Sequence, residues 1–480
     1  GALREAGYVV DILDASVCSK DQRLQDTFLK PVKQPNGLIR IGMDDAAIAS
    51  FITKGGYDIV GVSSNFTPQT RMALAVVAAA KRANPAALII AGGVNARNLP
   101  HWFLDNGVDL IAASEADSAI VEIVETHAKG GDFTRIGGLM MKRAGRMLTT
   151  PATALIDLDR LPMPTWDLLP FDKYEQIASP HGVLVSERAG ARYAPIMTSR
   201  GCPFQCEYCH ISTEKTRHLE GISAKASGEI GGLRLKSFER VIKEIDTLSR
   251  LGVKRLFFED DSLLAKKERV RAIFREVKRY SMSIANVNGV NLVHLFKRAA
   301  SGKLEPDLDF INILRDAGFD QLVFPVESGN QRILDKYATG KLHLETMDIT
   351  ALMRALTTAG IQAPINMMIG FPDESEEEMH KSRDLAAKLR DAGAPYVTFF
   401  IPIPFPGSHL YDMALSGSHL SADFDPDLMN WKRPVMKNTT VPAARIEGLR
   451  DTFWREINDH GHIEKRLKES AGVRWMSSGA

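Results

Sequence analysis

Short apolar runs separated by helix-length amphipathic stretches constrain this chain more than any other feature. Tyr57–Ser63 and Ala87–Ala91 are short apolar runs, and Arg71–Arg82 between them has the period of an amphipathic helix. Val108–Ala112 is a third such run, and the pattern predicts a helix over Ser118–His127. Parallel strands covered by helices on both faces produce this reading, because neither face needs polar residues. After Phe133, the stretch IGGLMMKRAGRML reads as a β-hairpin that closes the unit. Pro151, Pro162, Pro164 and Pro170 then mark a linker or strap.

From Ala194 the alternation resumes with a longer repeat. Strands are expected at Ala194–Thr198, Arg255–Phe258, Ile284–Val287, Gln321–Val326, Ile365–Ile369 and Tyr396–Ile401. Helices such as Ser237–Leu251, Lys267–Tyr280 and Leu344–Ala359 fall between them. Six strands with crossover helices predict an open or partial β/α barrel, with its chemistry at the C-terminal strand ends. The expected division is 1–150, a linker at 151–190, the barrel at 191–410, and a polar, mostly helical region at 411–480, anchored by Trp431 and Trp454, that closes the substrate side.

Composition narrows the function classes. Lys+Arg 60 against Asp+Glu 59 leaves a net charge of +1, so no overall field draws the chain to nucleic acid or anionic lipid. The most apolar stretches, Met72–Ala80 and Ala86–Ala91, fall well short of the roughly 18 residues of a membrane span. Only four cysteines are present, which excludes a disulfide scaffold and fits a reducing, cytoplasmic compartment. Cys18 stands alone and reads as an isolated thiol. The chain opens GALREAGYVVDILD, without Met or a targeting signal, which reads as a helix end, a stop at Gly7 and a strand. Residues are therefore expected to precede Gly1, about one strand and most of a helix.

Cys202, Cys206 and Cys209 fall within eight residues, directly after the first barrel strand. Three thiolates at spacings of four and three can wrap three corners of an iron–sulfur cube and leave one iron without a protein ligand. Zinc is the structural alternative, but closed zinc sites take four ligands, and the side chain of His210 follows Cys209 too directly to turn the same way. Among the twelve histidines there is no H-E-x-x-H pairing, and His460 and His462 are expected on a solvated terminal helix.

The segment Arg200-Gly-Cys-Pro-Phe-Gln-Cys-Glu-Tyr-Cys-His210 resembles the C-x3-C-x2-C loop of the radical S-adenosylmethionine (radical SAM) enzymes, over about Arg192–Leu410. The resemblance implies a [4Fe-4S] cluster on the three cysteines, whose open iron chelates SAM and whose electron cleaves it to a 5′-deoxyadenosyl radical. It also places Tyr208 near the adenine. Glu259 and Asp260, ending the second strand, would face the SAM amino end; a solvated acidic loop is the alternative. Glu327 and Ser328, in Val326-Glu-Ser-Gly-Asn330, resemble the family's E-S-G segment, with a helix N-cap at Ser328 as a compatible role. Gly370 opens a G-x-P-x-E match through Glu374, whose Gly and Pro also suit a turn. Asp373–Glu378 reads as acidic charge at a helix N-terminus. In the third strand, Asn288 stands near a position where relatives often carry Arg. Pro402–Ser408 matches the P-x-P-G-[ST] ending of the subgroup that carries a cobalamin domain.

Residues 1–130 are similar to that cobalamin-binding domain. The resemblance implies that Ser63, Ser64, Gly92, Gly93 and Glu115, at carboxyl strand ends, approach the cofactor. Two signatures differ: Gly92-Gly93-Val94-Asn95 replaces G-G-x-H, and Ala113-Ser114-Glu115-Ala116 replaces G-E-G-E. No D-x-H-x-x-G is present, so no histidine from that motif reaches cobalt. A domain of this ancestry that no longer binds cobalamin is the alternative.

The expected fold class is thus α/β, a Rossmann-like cobalamin-binding domain followed by a partial (β/α)6 TIM-type barrel and a small helical C-terminal region. The expected activity is that of a radical SAM methyltransferase acting on an unactivated carbon of a small metabolite, with SAM, cobalamin and a [4Fe-4S] cluster. A reductant such as flavodoxin or ferredoxin is the expected partner, without nucleic acid. Ring formation, rearrangement or oxidation with the same cofactors is the near alternative, and an electron-transfer or sensing iron–sulfur protein a further one. An RNA methylthiotransferase is disfavoured, because residues 1–190 hold only Cys18 and no basic appendage.

Overall fold

The first sheet is built from β1 (Ile59–Ser63), β2 (Leu88–Gly92) and β3 (Leu110–Ala112), all parallel, then antiparallel β4 (Leu139–Arg143) and β5 (Arg146–Thr149). This is a computed structural model, and it describes residues 1–34, 37–152, 154–177, 191–213, 228–431 and 433–464. Successive residues of β2 and β3 divide between two cores. Ile89, Ala91 and Ile111 pack with the helix Thr70–Ala83, while Leu88, Ile90 and Leu110 pack with Ile123 of the helix Ala116–Ala128. Helices on both faces explain why these strands read as unbroken apolar runs. The two-residue turn between β4 and β5, Ala144 and Gly145, has positive φ at both positions, as the tight turn of a twisted hairpin requires.

The strand expected after Gly7 does not form. Tyr8–Asp14 pairs with no described strand, and Val9 is 96% exposed. Tyr8 N donates to Leu3 O and Asp14 O accepts from Val17 N, so the ends of the segment are tied to turns and not to a ladder.

The second sheet system is parallel throughout. β6 (Tyr193–Ile196), β7 (Arg255–Phe258), β8 (Ser283–Asn286) and β9 (Phe319–Leu322) form one half, and β10 (Phe324–Glu327), β11 (Ile365–Met368) and β12 (Val397–Phe400) the other. The single fourth strand expected at Gln321–Val326 is therefore two. At Val323 the ladder changes partner: its carbonyl accepts from Val290, while Leu322 and Phe324 donate to Gln362 and Pro364. Phe274, on the helix Lys267–Val277, meets Phe258 and Phe319 edge-on at 5.2 and 4.8 Å and seats that helix against the sheet.

Helix starts follow the chain's capping residues. Ser237 accepts from Arg240 N at the head of Phe238–Arg250. Ser375 and Glu378 form a reciprocal capping box at the head of Glu376–Asp391, which places the acidic run in the first turn.

The helix Ala443–Ile457 lies outside β12 and runs opposite to it. Its start brings Ile446 against Gly370, beyond the carboxyl end of β11. Asn458, at its end, bonds both the N–H and the carbonyl of Val397, at the opposite end of β12. Trp454 therefore packs at the amino ends of the barrel strands, far from the substrate side. Trp431 lies at the other end, where Ile401 N donates to its carbonyl and its ring meets Phe400 and Phe405. Helix polarity decides this separation. Among the described residues, no helix is long and apolar enough to cross a membrane.

Candidate functional site

The cysteine loop leaves β6 and is held at both flanks. Thr198 N, Thr198 Oγ1 and Ser199 Oγ all donate to Asp260 Oδ1, at 2.9, 2.8 and 2.5 Å. Ser199–Arg200 then pairs with Arg234–Leu235. Gly201 has φ of +77°, and a Cβ there would lie 2.3 Å from the Gly232 carbonyl, so only glycine passes. Its N–H donates to Asp261 at 2.9 Å. Further along, Cys206 pairs with Ala338 and Gln205 with Thr339, and Glu207 N donates to Tyr337 O. Cys209 N donates to Cys206 O at 3.1 Å, curling the last two cysteines around Tyr208.

All four cysteines are free thiols, and Cys18 is buried elsewhere, against Val17, Leu24, Phe28 and Ile177. Burial, reinforced by Cys206, pushes the Cys209 thiol up to about 12. Burial likewise holds His210 neutral, at about 3. Among the described residues, no three His, Cys, Asp or Glu side chains converge on a point suited to one ion. Thiolates that bind different corners of a cube need not converge so closely, whereas zinc ligands must. Three thiols on one loop fit three corners of such a cluster, and among the described residues no closed zinc site forms around them.

Tyr208 and Glu327 come together beside this loop. Tyr208 Oη donates to Glu327 Oε1 at 2.7 Å, and Glu327 has φ of +69°, a strained value for a residue with a side chain. A third member is Lys341, whose Nζ donates to Glu327 Oε1 at 3.0 Å and to Tyr208 Oη at 3.1 Å. It matches no motif. The pairing of Gln205–Cys206 with Ala338–Thr339, and Glu207 N donating to Tyr337 O, bring its segment to the loop.

The other expected SAM-side residues divide by what they touch. Glu259 is half-buried, and burial raises its carboxyl pKa; its carbonyl accepts from Asn288 Nδ2 at 3.0 Å. Asp260 is fully buried and braces the loop through Oδ1, while Oδ2 has no partner among the described residues. Ser328 turns toward the helix Glu376–Asp391, with its Oγ 3.2 Å from Ser382 Oγ. It is not the helix N-cap. Asn330 takes that role for Gln331–Tyr337, and Ser328 accepts from Asn330 N one step earlier. Gly370 has φ of +97°, with Ile446 against it, and donates to Glu374 Oε2 at 2.7 Å.

On the N-terminal sheet, Ser63 ends β1 with Ser64 after it, and Gly92 ends β2 with Gly93 after it. Ser63 is exposed, and a Cβ on Gly92 would meet only Ala112 Cβ, at 3.9 Å, so this rim is open enough for a large ligand to approach. Gly93 is closed in, because a Cβ there would lie 2.4 Å from Asn65 Oδ1. Asn95, at the place of the family histidine, is buried and donates to Ser64 Oγ and Thr70 Oγ1 at 2.9 and 3.0 Å. It is committed to the fold and cannot ligate a metal. Glu115 pairs with Arg234 and with Arg200, the latter at 3.2 Å, and Asp117 also takes Arg200, at 2.9 Å. Gly407, beyond β12, abuts Asn98, beyond β2. The carboxyl ends of the two sheets thus face each other, with the cysteine loop at their seam.

Comparison with known proteins agrees with this arrangement. The model of the radical SAM superfamily matches residues 196–386, and that of the B12-binding domain matches residues 1–124. An uncharacterized methyltransferase of Pyrococcus horikoshii is 28% identical over 411 residues, covering 84% of this chain and 79% of its own. Cytidylyl-2-hydroxyethylphosphonate methyltransferase of Streptomyces wedmorensis is 26% identical, covering 95% of this chain and 84% of its own. Among solved structures, the radical SAM methyltransferase TsrM of Kitasatospora setae, with cobalamin and a [4Fe-4S] cluster bound, has a TM-score of 0.61 at 14% identity. It covers 87% of this chain and 81% of its own. The cobalamin-dependent radical enzyme OxsB has a TM-score of 0.56 at 18% identity, covering 78% of this chain and 49% of its own.

Proposed function

The chain is a radical SAM enzyme with an N-terminal B12-binding domain, and from that premise we propose that it methylates an unactivated carbon of a small metabolite. The observation that carries this reading is the opposition of the two sets of carboxyl strand ends across the cysteine loop, which supports it because cofactors held at both ends would share one substrate. Two relatives named as methyltransferases, each covering most of the chain, support it.

Cys202, Cys206 and Cys209 would hold the cluster. Tyr208, Glu259, Asn288, Glu327 and Gly370 would contact SAM, and Ser63, Ser64, Gly92 and Gly93 would contact cobalamin. When bound, these groups supply the electron, the radical and the methyl group. The chain's own work is placement and exclusion of water. Asp260 fixes the start of the loop through three hydrogen bonds. The floor beneath Tyr208 is apolar: Tyr337 stacks on Phe371 at 4.2 Å, among Met368, Ile403 and Leu410. Glu115 is engaged with Arg200 and Arg234, so its contribution is to join the B12-binding domain to the base of the loop.

Metal analysis of protein purified without oxygen from cells supplied with cobalamin tests the reading. About four iron and one cobalt per chain, with methylated product from SAM, are expected. Iron without cobalt overturns methyl transfer and favours ring or redox chemistry, and absence of both overturns the reading whole.

A further inference from the structure

Lys341 has no part in any motif above, yet it is a cation built closely into the cysteine loop. Its segment is zipped to that loop, because Ala338–Thr339 forms a two-residue antiparallel ladder with Gln205–Cys206. Its Nζ bonds Glu327 Oε1 and Tyr208 Oη, and it lies over the Tyr208 ring, 5.5 Å from the centroid. The side chain is only 13% exposed and that of Glu327 only 6%.

A buried ion pair this well hydrogen-bonded is balanced in charge, and neither member can lose its partner without leaving a net charge beside the loop. Leaving Glu327 alone would add a negative field, and leaving Lys341 alone a positive one. Field at short range in a poorly solvated site is strong and acts on whatever charge changes there. The charge that changes is that of a cluster accepting one electron. The left-handed backbone at Glu327 adds that this carboxylate is held in place against strain rather than by local preference.

We propose that the Lys341–Glu327 pair sets the reduction potential of the cluster held by Cys202, Cys206 and Cys209, with Lys341 as a positioning residue that stabilises the reduced, more negative state. This rests on the radical SAM reading. The step is addition of one electron to the oxidised cluster from a low-potential donor, with no bond made or broken.

The test is a dithionite titration with redox mediators at pH 9, followed by electron paramagnetic resonance, on the full chain and on Lys341→Met, Lys341→Arg and Glu327→Gln. Iron content is measured on each. Lys341→Met should shift the reduction equilibrium about tenfold toward the oxidised cluster, about 59 mV for one electron. Glu327→Gln should shift it the other way, and Lys341→Arg should stay within about twofold of wild type, since it keeps the charge. A merely structural pair would move both variants in the same direction, or neither, and either result at full iron content overturns the inference. If Lys341→Met loses iron, the sign found for Glu327→Gln decides. A wild-type chain that takes up no iron overturns the underlying reading and this inference together, whereas normal iron with unmoved potentials overturns the inference alone.

Discussion

Glu374 carries a carboxyl whose protonation should be visible in the stability of the whole barrel. It is fully buried beside the turn after β11. Oε2 accepts from Gly370 N at 2.7 Å and Phe371 N at 3.1 Å, while Oε1 has no partner among the described residues. Burial outweighs the two hydrogen bonds and pushes the pKa up to about 8, from an ordinary 4.5. The folded chain therefore keeps a proton that the unfolded chain releases. The associated stability is complete below pH 4.5 and is lost as pH rises toward 8. At 1.36 kcal/mol per pKa unit, the loss between pH 5 and pH 8 is on the order of 3 kcal/mol. Glu374→Gln keeps the shape and the acceptor for both N–H groups, and it removes the titration. In urea denaturation of the cluster-free chain, the variant should match wild type within about 1 kcal/mol at pH 5.5 and exceed it by about 2–3 kcal/mol at pH 8.5. A variant weaker than wild type by the same margin at both pH values would mean that the carboxylate is ionised and its two bonds are indispensable, and would refute the reasoning.

Gly370→Ala should destabilise by about 1–3 kcal/mol, because φ of +97° is unfavourable for alanine and the added Cβ would lie 2.6 Å from Ile446; the melting temperature reports it. Glu115→Gln weakens the partners of Arg200 and Arg234 at the domain seam, worth about 1–3 kcal/mol. Hydrogen exchange at Ser199–Arg200 should quicken about tenfold, and unchanged protection would show that the seam is held by other contacts. Cys206→Ala should abolish both iron uptake and SAM cleavage, and cleavage that survives in the variant would refute the cluster assignment.

Where the sequence pattern is local, it was legible. The alternation of Ile89 and Ala91 with Leu88 and Ile90 between two cores is the period of a strand buried on both faces, and the chain carries it without help from distant residues. The hairpin after Phe133 and the acidic head of Glu376–Asp391 were equally legible, because turn geometry and helix capping depend on neighbours in sequence. The split fourth strand was not legible, since Val323 breaks for partners more than thirty residues away on either side.

The cysteine spacing by itself determined that three thiols share one loop after a strand, and so which cofactor chemistry the barrel can host. Only the tertiary structure decided what surrounds them. Lys341 reaches Tyr208 and Glu327 because a two-residue ladder crosses more than a hundred residues of sequence. Asn95 turns inward and Glu115 is taken by two arginines of another domain. Ser328 faces a helix, and Trp454 lies at the wrong end of the barrel. Short-range periodicity encodes elements and loops, because their geometry repeats every few residues. The direction in which a buried polar side chain is satisfied depends on which distant group packs against it, and that is settled only when the chain has folded.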